Sequence, residues 1–222
     1  MAARAVGVLL ILCSVAWTAV KAQQVHLRRV QEASPPDDTS LSASEYEGLL
    51  DLLGGNDTTQ LTSLYRTSVH GTTYGDLLDR VGDAKPIVFV VRNGPHDFGV
   101  YISKGLRLPD DPFDSREYES DVWWFSLADA FGGPIKIEIP REEQYVAVAG
   151  REGNADESAN VLIGGALWLG WGNYPRGPSS DIRSCFQVSD SEYVPEGYTR
   201  VREELTGSVY LGGYVEVLHV VQ

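Results

Sequence analysis

The 222-residue chain sets 18 Lys and Arg against 31 Asp and Glu, a formal net charge of −13. With no basic stripe or lysine-rich run to offset that balance, nucleic acid and anionic lipid are excluded as expected partners. The length suits one well-buried core and is short for two full domains.

Residues 1–22, MAARAVGVLLILCSVAWTAVKA, place Arg4 before an apolar run from Ala5 to Val20, then small residues at Val20 and Ala22. This is the pattern of a secretory signal peptide. The rival reading is a signal anchor in the membrane or lumen of the secretory pathway. Against it, the run is shorter than the roughly 20 apolar residues that span a bilayer, and Gln23 turns polar at once. Cleavage removes Arg4, Lys21 and Cys13 and no acid, leaving a soluble, secreted chain of net charge −15 with Cys185 as its sole cysteine. An intrachain disulfide is then impossible, and the leftover thiol is buried, bridged between chains, or reactive. Burial is the preferred expectation, because Phe186 and Val188 follow in a strand-like run.

Residues 23–39, with a Pro-Pro pair and no sustained period, read as a flexible leader, and residues 40–222 as the folded domain. Ser42 and Glu45 form a capping box, and Tyr46, Leu49, Leu50 and Leu53 fall on one helical face before Gly54-Gly55. Asn56-Asp57-Thr58 is an N-glycosylation acceptor in the turn that follows. A second helix starts at Thr73, aligns Tyr74, Leu77, Leu78 and Val81, and stops at Gly82.

From there period two dominates. Ile87–Val91, FGVYIS, DVWWFSL, IKIEI, YVAVAG, SCFQV and GYVEVLHVV read as strands, with one more helix over 199–205. Short turns between them favour antiparallel pairing over βαβ units. The expected fold is α+β: an antiparallel β-sandwich flanked by short helices.

Nucleophilic catalysis needs Cys185 or a serine beside an oriented histidine. His26 falls in the leader and His219 in the last strand, so His70 and His96 are the loop candidates to assist Cys185. No nucleophile elbow or cysteine-protease context surrounds them. No metal is expected, since no HExxH or paired cysteines occur. Asp110, Asp111, Asp114, Glu117, Glu119 and Asp121 could gather calcium, but without EF-hand spacing they read as a solvated acidic loop. Trp123 and Trp124 are adjacent in one strand and point to opposite faces, so at least one is core. Trp171, beside the turn GNYPRG, is the tryptophan best placed to stack on a glycan.

From about Leu41 to Val221 the order of motifs resembles the TLDc domain of oxidation-resistance proteins. LYRTSVHGTTYGDLL is similar to the family's His-Gly-Thr segment (His70, Gly71), and DFGVYIS to its Phe-Gly turn (Phe98, Gly99). LIGGALWLGWGNYPRGPSSDIRSCF resembles its glycine pair, Leu-Trp-Leu strand and Ser-Cys ending (Gly164, Gly165, Trp168, Cys185). The resemblance implies a structural role for these residues, with Gly164 and Gly165 allowing close approach or a bulge, and Trp168 filling core.

Departures stand at YESD, where the family has Gly-x-Gly-Glu, at Gly170 for an acid, and at Leu218 for an aromatic. The family is associated with protection from oxidative damage and with the cytosolic sector of the vacuolar proton pump, which an exported copy would not meet. The resulting expectation is a secreted, non-enzymatic interaction module with an extracellular protein partner and no cofactor. The alternatives are a thiol- or peroxide-reactive enzyme using Cys185, or a glycan-binding sandwich.

Overall fold

The computed structural model describes residues 35–55, 58–93, 96–127, 134–153, 159–164, 167–172, 177–187, 209–211 and 213–221. The expected signal peptide over residues 1–22, Asn56, Gly165 and the helix expected over 199–205 lie outside them.

Two six-stranded antiparallel sheets form the body. Sheet I runs β1 (Gln60–Arg66), β12 (Tyr214–Val221), β2 (Ile87–Asn93), β3 (His96–Ile102), β5 (Val122–Ser126), β6 (Ile135–Glu138). Sheet II runs β11 (Val209–Leu211), β10 (Ser184–Gln187), β9 (Leu167–Leu169), β8 (Val161–Ile163), β7 (Tyr145–Ala149), β4 (Ser115–Glu119). The α+β sandwich is therefore what the chain adopts.

Alternation decides which face each strand buries. Phe89, Val91, Val100, Trp124, Val215 and Val217 of sheet I meet Val146, Val148, Ile163, Leu167 and Leu169 of sheet II in the central core. The other face of sheet I is also dry. Helix α1 (Ala43–Leu52) lays Tyr46, Leu49 and Leu50 on Val88, Val90, Phe125, Leu218 and Val220. Its capping box is formed as expected, Glu45 N–H to Ser42 Oγ at 3.3 Å and Ser42 N–H to Glu45 Oε2 at 2.7 Å.

The two amphipathic helices have different jobs. After the short helix α2 (Thr67–His70), α3 (Tyr74–Val81) sinks Tyr74, Leu77, Leu78 and Val81 into the inter-sheet core. The Tyr74 hydroxyl donates to the Ala149 carbonyl at 2.6 Å, tying the helix to sheet II.

Two strands differ from the sequence expectation. β1 pairs with β12, with a bulge between Ser63 and Tyr65. The extra residue sends Leu61 to the helix side and Tyr65 to the central core, although both sit at odd positions. β4 replaces the middle of the expected acidic loop. Arg116 and Tyr118 turn inward opposite Val148 and Val146, while Glu117 and Glu119 face solvent. A third correction concerns Trp168, which is only half-buried, whereas its neighbours Leu167 and Leu169 are fully enclosed. Period two puts the indole on the outer face of sheet II, not in the core.

Candidate functional site

The loop after α2 is where the sequence candidates converge. Gly71 has φ +96, and a Cβ there would stand 2.3 Å from Asp76 Oδ2, so only glycine lets the carboxylate lie over the turn. Asp76 accepts from Thr73 N–H at 3.0 Å and Thr73 Oγ1 at 2.6 Å, which hold its pKa below the usual carboxylate value. Thr73 bridges to Asp181, and the Ile182 N–H donates to the Thr72 carbonyl at 2.8 Å. The His-Gly-Thr loop is thereby stitched to the turn that leads into Cys185.

Proximity along the chain does not make a reactive pair. Cys185 is fully buried, its thiol facing the Ile182 carbonyl at 3.6 Å. Burial first, and the nearby Asp181 charge second, push its pKa up to about 12. At neutral pH the thiolate is effectively absent. His70 is committed elsewhere, since its Nδ1 accepts the Arg66 N–H at 3.0 Å and its ring stacks on Tyr65 at 6.2 Å. Desolvation, then the Arg80 and Arg66 charges, lower its pKa, in keeping with its Nδ1 serving as a backbone acceptor. His96 opens β3 with its backbone paired to Asn93; its side chain lies outside the described residues.

Phe98 fills the central core, while Gly99 faces the other way and makes room for an aromatic ring. A Cβ on Gly99 would sit 2.1 Å from Phe125 Cζ and 2.2 Å from the Phe89 carbonyl. Gly164, at φ +57, directly follows β8 and donates its N–H to the Tyr145 carbonyl at 2.9 Å. Both Trp123 and Trp124 are buried, on opposite faces of sheet I. Trp123 stacks on Tyr101 at 5.1 Å under Lys136 Nζ, 4.7 Å from its centroid. Trp171 is half-buried, its N–H and carbonyl both bonded to Ser184, at 2.7 and 2.5 Å.

Sequence reading missed a polar centre beneath the start of α1. The fully buried Glu216 accepts from Ser40 N–H at 3.0 Å, Ser40 Oγ at 2.5 Å and Ser63 Oγ at 3.0 Å. Arg92 grips Glu45 through two parallel bonds of 3.0 Å, reaches Asp97 at 2.6 Å, and donates to the Ser40 carbonyl at 3.0 Å. The signal that could have found it is the lone acid in the apolar alternation YVEVLHVV, since a carboxylate on a buried face demands donors.

With this geometry in hand, a family model described as the TLDc domain matches residues 37–147, half of the chain. The chain belongs to the TLDc family. No curated protein matches it. The TLDc match runs from just before α1 into β7; β12, outside it, is hydrogen-bonded between β1 and β2, which lie inside it. Among the described residues no group of three or more His, Cys, Asp or Glu side chains is placed to hold a metal ion. Nor, among them, is any helix long and apolar enough to cross a membrane.

Proposed function

We propose that this TLDc protein is an exported module that acts by binding a partner protein outside the cell and not by turning over a substrate. The observation that carries the reading is the state of Cys185: fully enclosed, with a pKa pushed up to about 12, it lacks the accessible low-pKa thiolate that thiol or peroxide chemistry uses. Export is supported by the apolar segment Ala5–Val20 behind Arg4, and a glycoprotein by the Asn56 acceptor. A link to protection from oxidative damage comes from the family resemblance. Such protection would then work through a partner, and the vacuolar pump's cytosolic sector would be out of reach.

The test is to express the full chain in secretory cells and assay the protein recovered from medium. The reading expects Gln23 as the amino terminus, a glycosidase-sensitive mass, and no peroxide consumption above buffer. Retention inside the cell with an intact leader, or peroxide turnover that disappears in Cys185→Ala, contradicts it.

A glycan platform is a second reading, favoured by the outward setting of Trp168 on sheet II. Saturable quenching of tryptophan fluorescence across a glycan panel, lost in Trp168→Ala, is its expected result.

A further inference from the structure

Four of the chain's 18 basic residues line one cleft of about 630 Å³. Lys85 comes from the loop after α3, Lys104 and Arg107 from the turn after β3, and Arg116 from β4. Asp83 is the one acid in the lining, so the cleft carries a formal charge of +3 on a chain whose total is −13. Leu106, buried in the central core, and half-buried Leu108 give it an apolar floor. The size lies within the range of small-molecule sites.

Hydrogen bonds fix the walls in advance. The Tyr118 hydroxyl donates to the Gly105 carbonyl at 2.5 Å and accepts the Arg107 N–H at 3.1 Å. Ser103 Oγ accepts the Asp121 N–H at 3.0 Å, and Ser120 Oγ accepts the Lys104 N–H at 3.2 Å. Gly105, at φ +64, packs so closely on the opposite wall that a Cβ would lie 2.2 Å from the Ala84 carbonyl.

Two of the cations are already engaged. Lys104 Nζ donates to the Glu119 carbonyl at 2.7 Å, and Arg116 pairs with the fully exposed Asp110 at 3.2 Å, a contact that water screens. Arg107 stacks over the Tyr118 ring at 5.5 Å, which leaves the edge of its guanidinium for a ligand. Among the described residues neither Lys85 nor Arg107 has a carboxylate within salt-bridge distance.

We infer that this cleft binds a small organic anion, its phosphate or sulfate group held by Arg107, Lys85 and Lys104 and its apolar body resting on Leu106 and Leu108. Guanidinium and ammonium donors together suit a tetrahedral oxyanion, and the apolar floor selects an ester over the free ion. Extended polyanions are disfavoured by the chain's net charge of −13. The site is separate from Cys185 and does not depend on whether the chain is exported.

The experiment is calorimetric titration of the full folded chain with 1-naphthyl phosphate, 1-naphthyl sulfate and neutral 1-naphthol. Expected is saturable one-to-one binding of the phosphate, weakened at least about tenfold, the loss of one charge-assisted hydrogen bond, in Arg107→Gln and in Lys104→Glu. Lys136→Gln, a cation on β6 that does not line the cleft, should leave binding unchanged. The exposed Lys104 keeps the test valid if Arg107→Gln, which also loses the Tyr118 stack, unfolds. Comparable sulfate binding assigns the site to tetrahedral oxyanions in general; its absence assigns it to phosphate esters. No saturation with either ester, equal binding of 1-naphthol, or wild-type affinity in both cleft variants overturns the inference.

Discussion

Ser40 Oγ donates to the Glu216 carboxylate at 2.5 Å, joining two residues 176 positions apart in the chain. The bond fastens the segment that enters α1 onto β12, which lies between β1 and β2 in sheet I. With Ser63 and the Ser40 N–H aimed at the same carboxylate, deletion of the acid strands several donors at once. Glu216→Ala should therefore cost about 2–4 kcal/mol, and Ser63→Ala only about 1 kcal/mol, in urea denaturation followed by circular dichroism. Equal effects would mean that Glu216 does not organise the cluster.

Acid sensitivity follows from the Arg92 grip on Glu45. Burial alone would raise this carboxyl, but bonds from Arg92 and Ser42 outweigh it and hold the pKa below its ordinary 4.5. A carboxylate whose native pKa is depressed contributes fully above its unfolded value and loses that contribution as pH falls through the native one. Stability should be flat above about pH 5 and decline below it, with Asp76 and Asp181, also depressed, adding to the slope. Glu45→Gln should lower stability at pH 7 and flatten the decline, as read from midpoints at pH 7, 5 and 3.

Gly99→Ala probes the packing of the Phe-Gly turn. The new methyl would meet both the Phe125 ring and the Phe89 carbonyl, and the latter cannot move without breaking the β2–β3 ladder. A loss of about 2 kcal/mol or more is expected in thermal unfolding, in the range of overpacked cores.

Tyr74→Phe isolates one buried bond. It keeps the ring in the core but removes the donor to the Ala149 carbonyl at 2.6 Å. Destabilisation of about 1–2 kcal/mol is expected, with faster amide exchange in α3 than in β2.

Much of the fold was legible because α1 and α3 each carry one helical apolar face, β3 and β7 alternate, and β2, β5 and β12 are β-branched or aromatic runs bounded by turns. β1 escaped because the bulge between Ser63 and Tyr65 breaks its alternation. β4 escaped because Glu117 and Glu119 make an edge strand look like a solvated loop, while its inward Arg116 is polar as well. Trp168 misled in the opposite direction: a large aromatic suggests core, yet strand parity places it outside. The His-Gly-Thr loop could be found by motif, but its stitching to Asp181 and Ile182 is a long-range pairing with no local signature. The basic cleft was invisible for the same reason, since its four cations come from three separate segments and none forms a run.

The account turns on Cys185 being a core residue and not a reagent. Treating the folded chain with iodoacetamide at pH 7.5 and mapping modified peptides by mass spectrometry tests this directly. A side chain fully enclosed, with its pKa pushed up to about 12, should remain unmodified until denaturant is added and then react to completion. Carboxamidomethylation of Cys185 in the native protein, at a rate near that of a free thiol in solution, would contradict it.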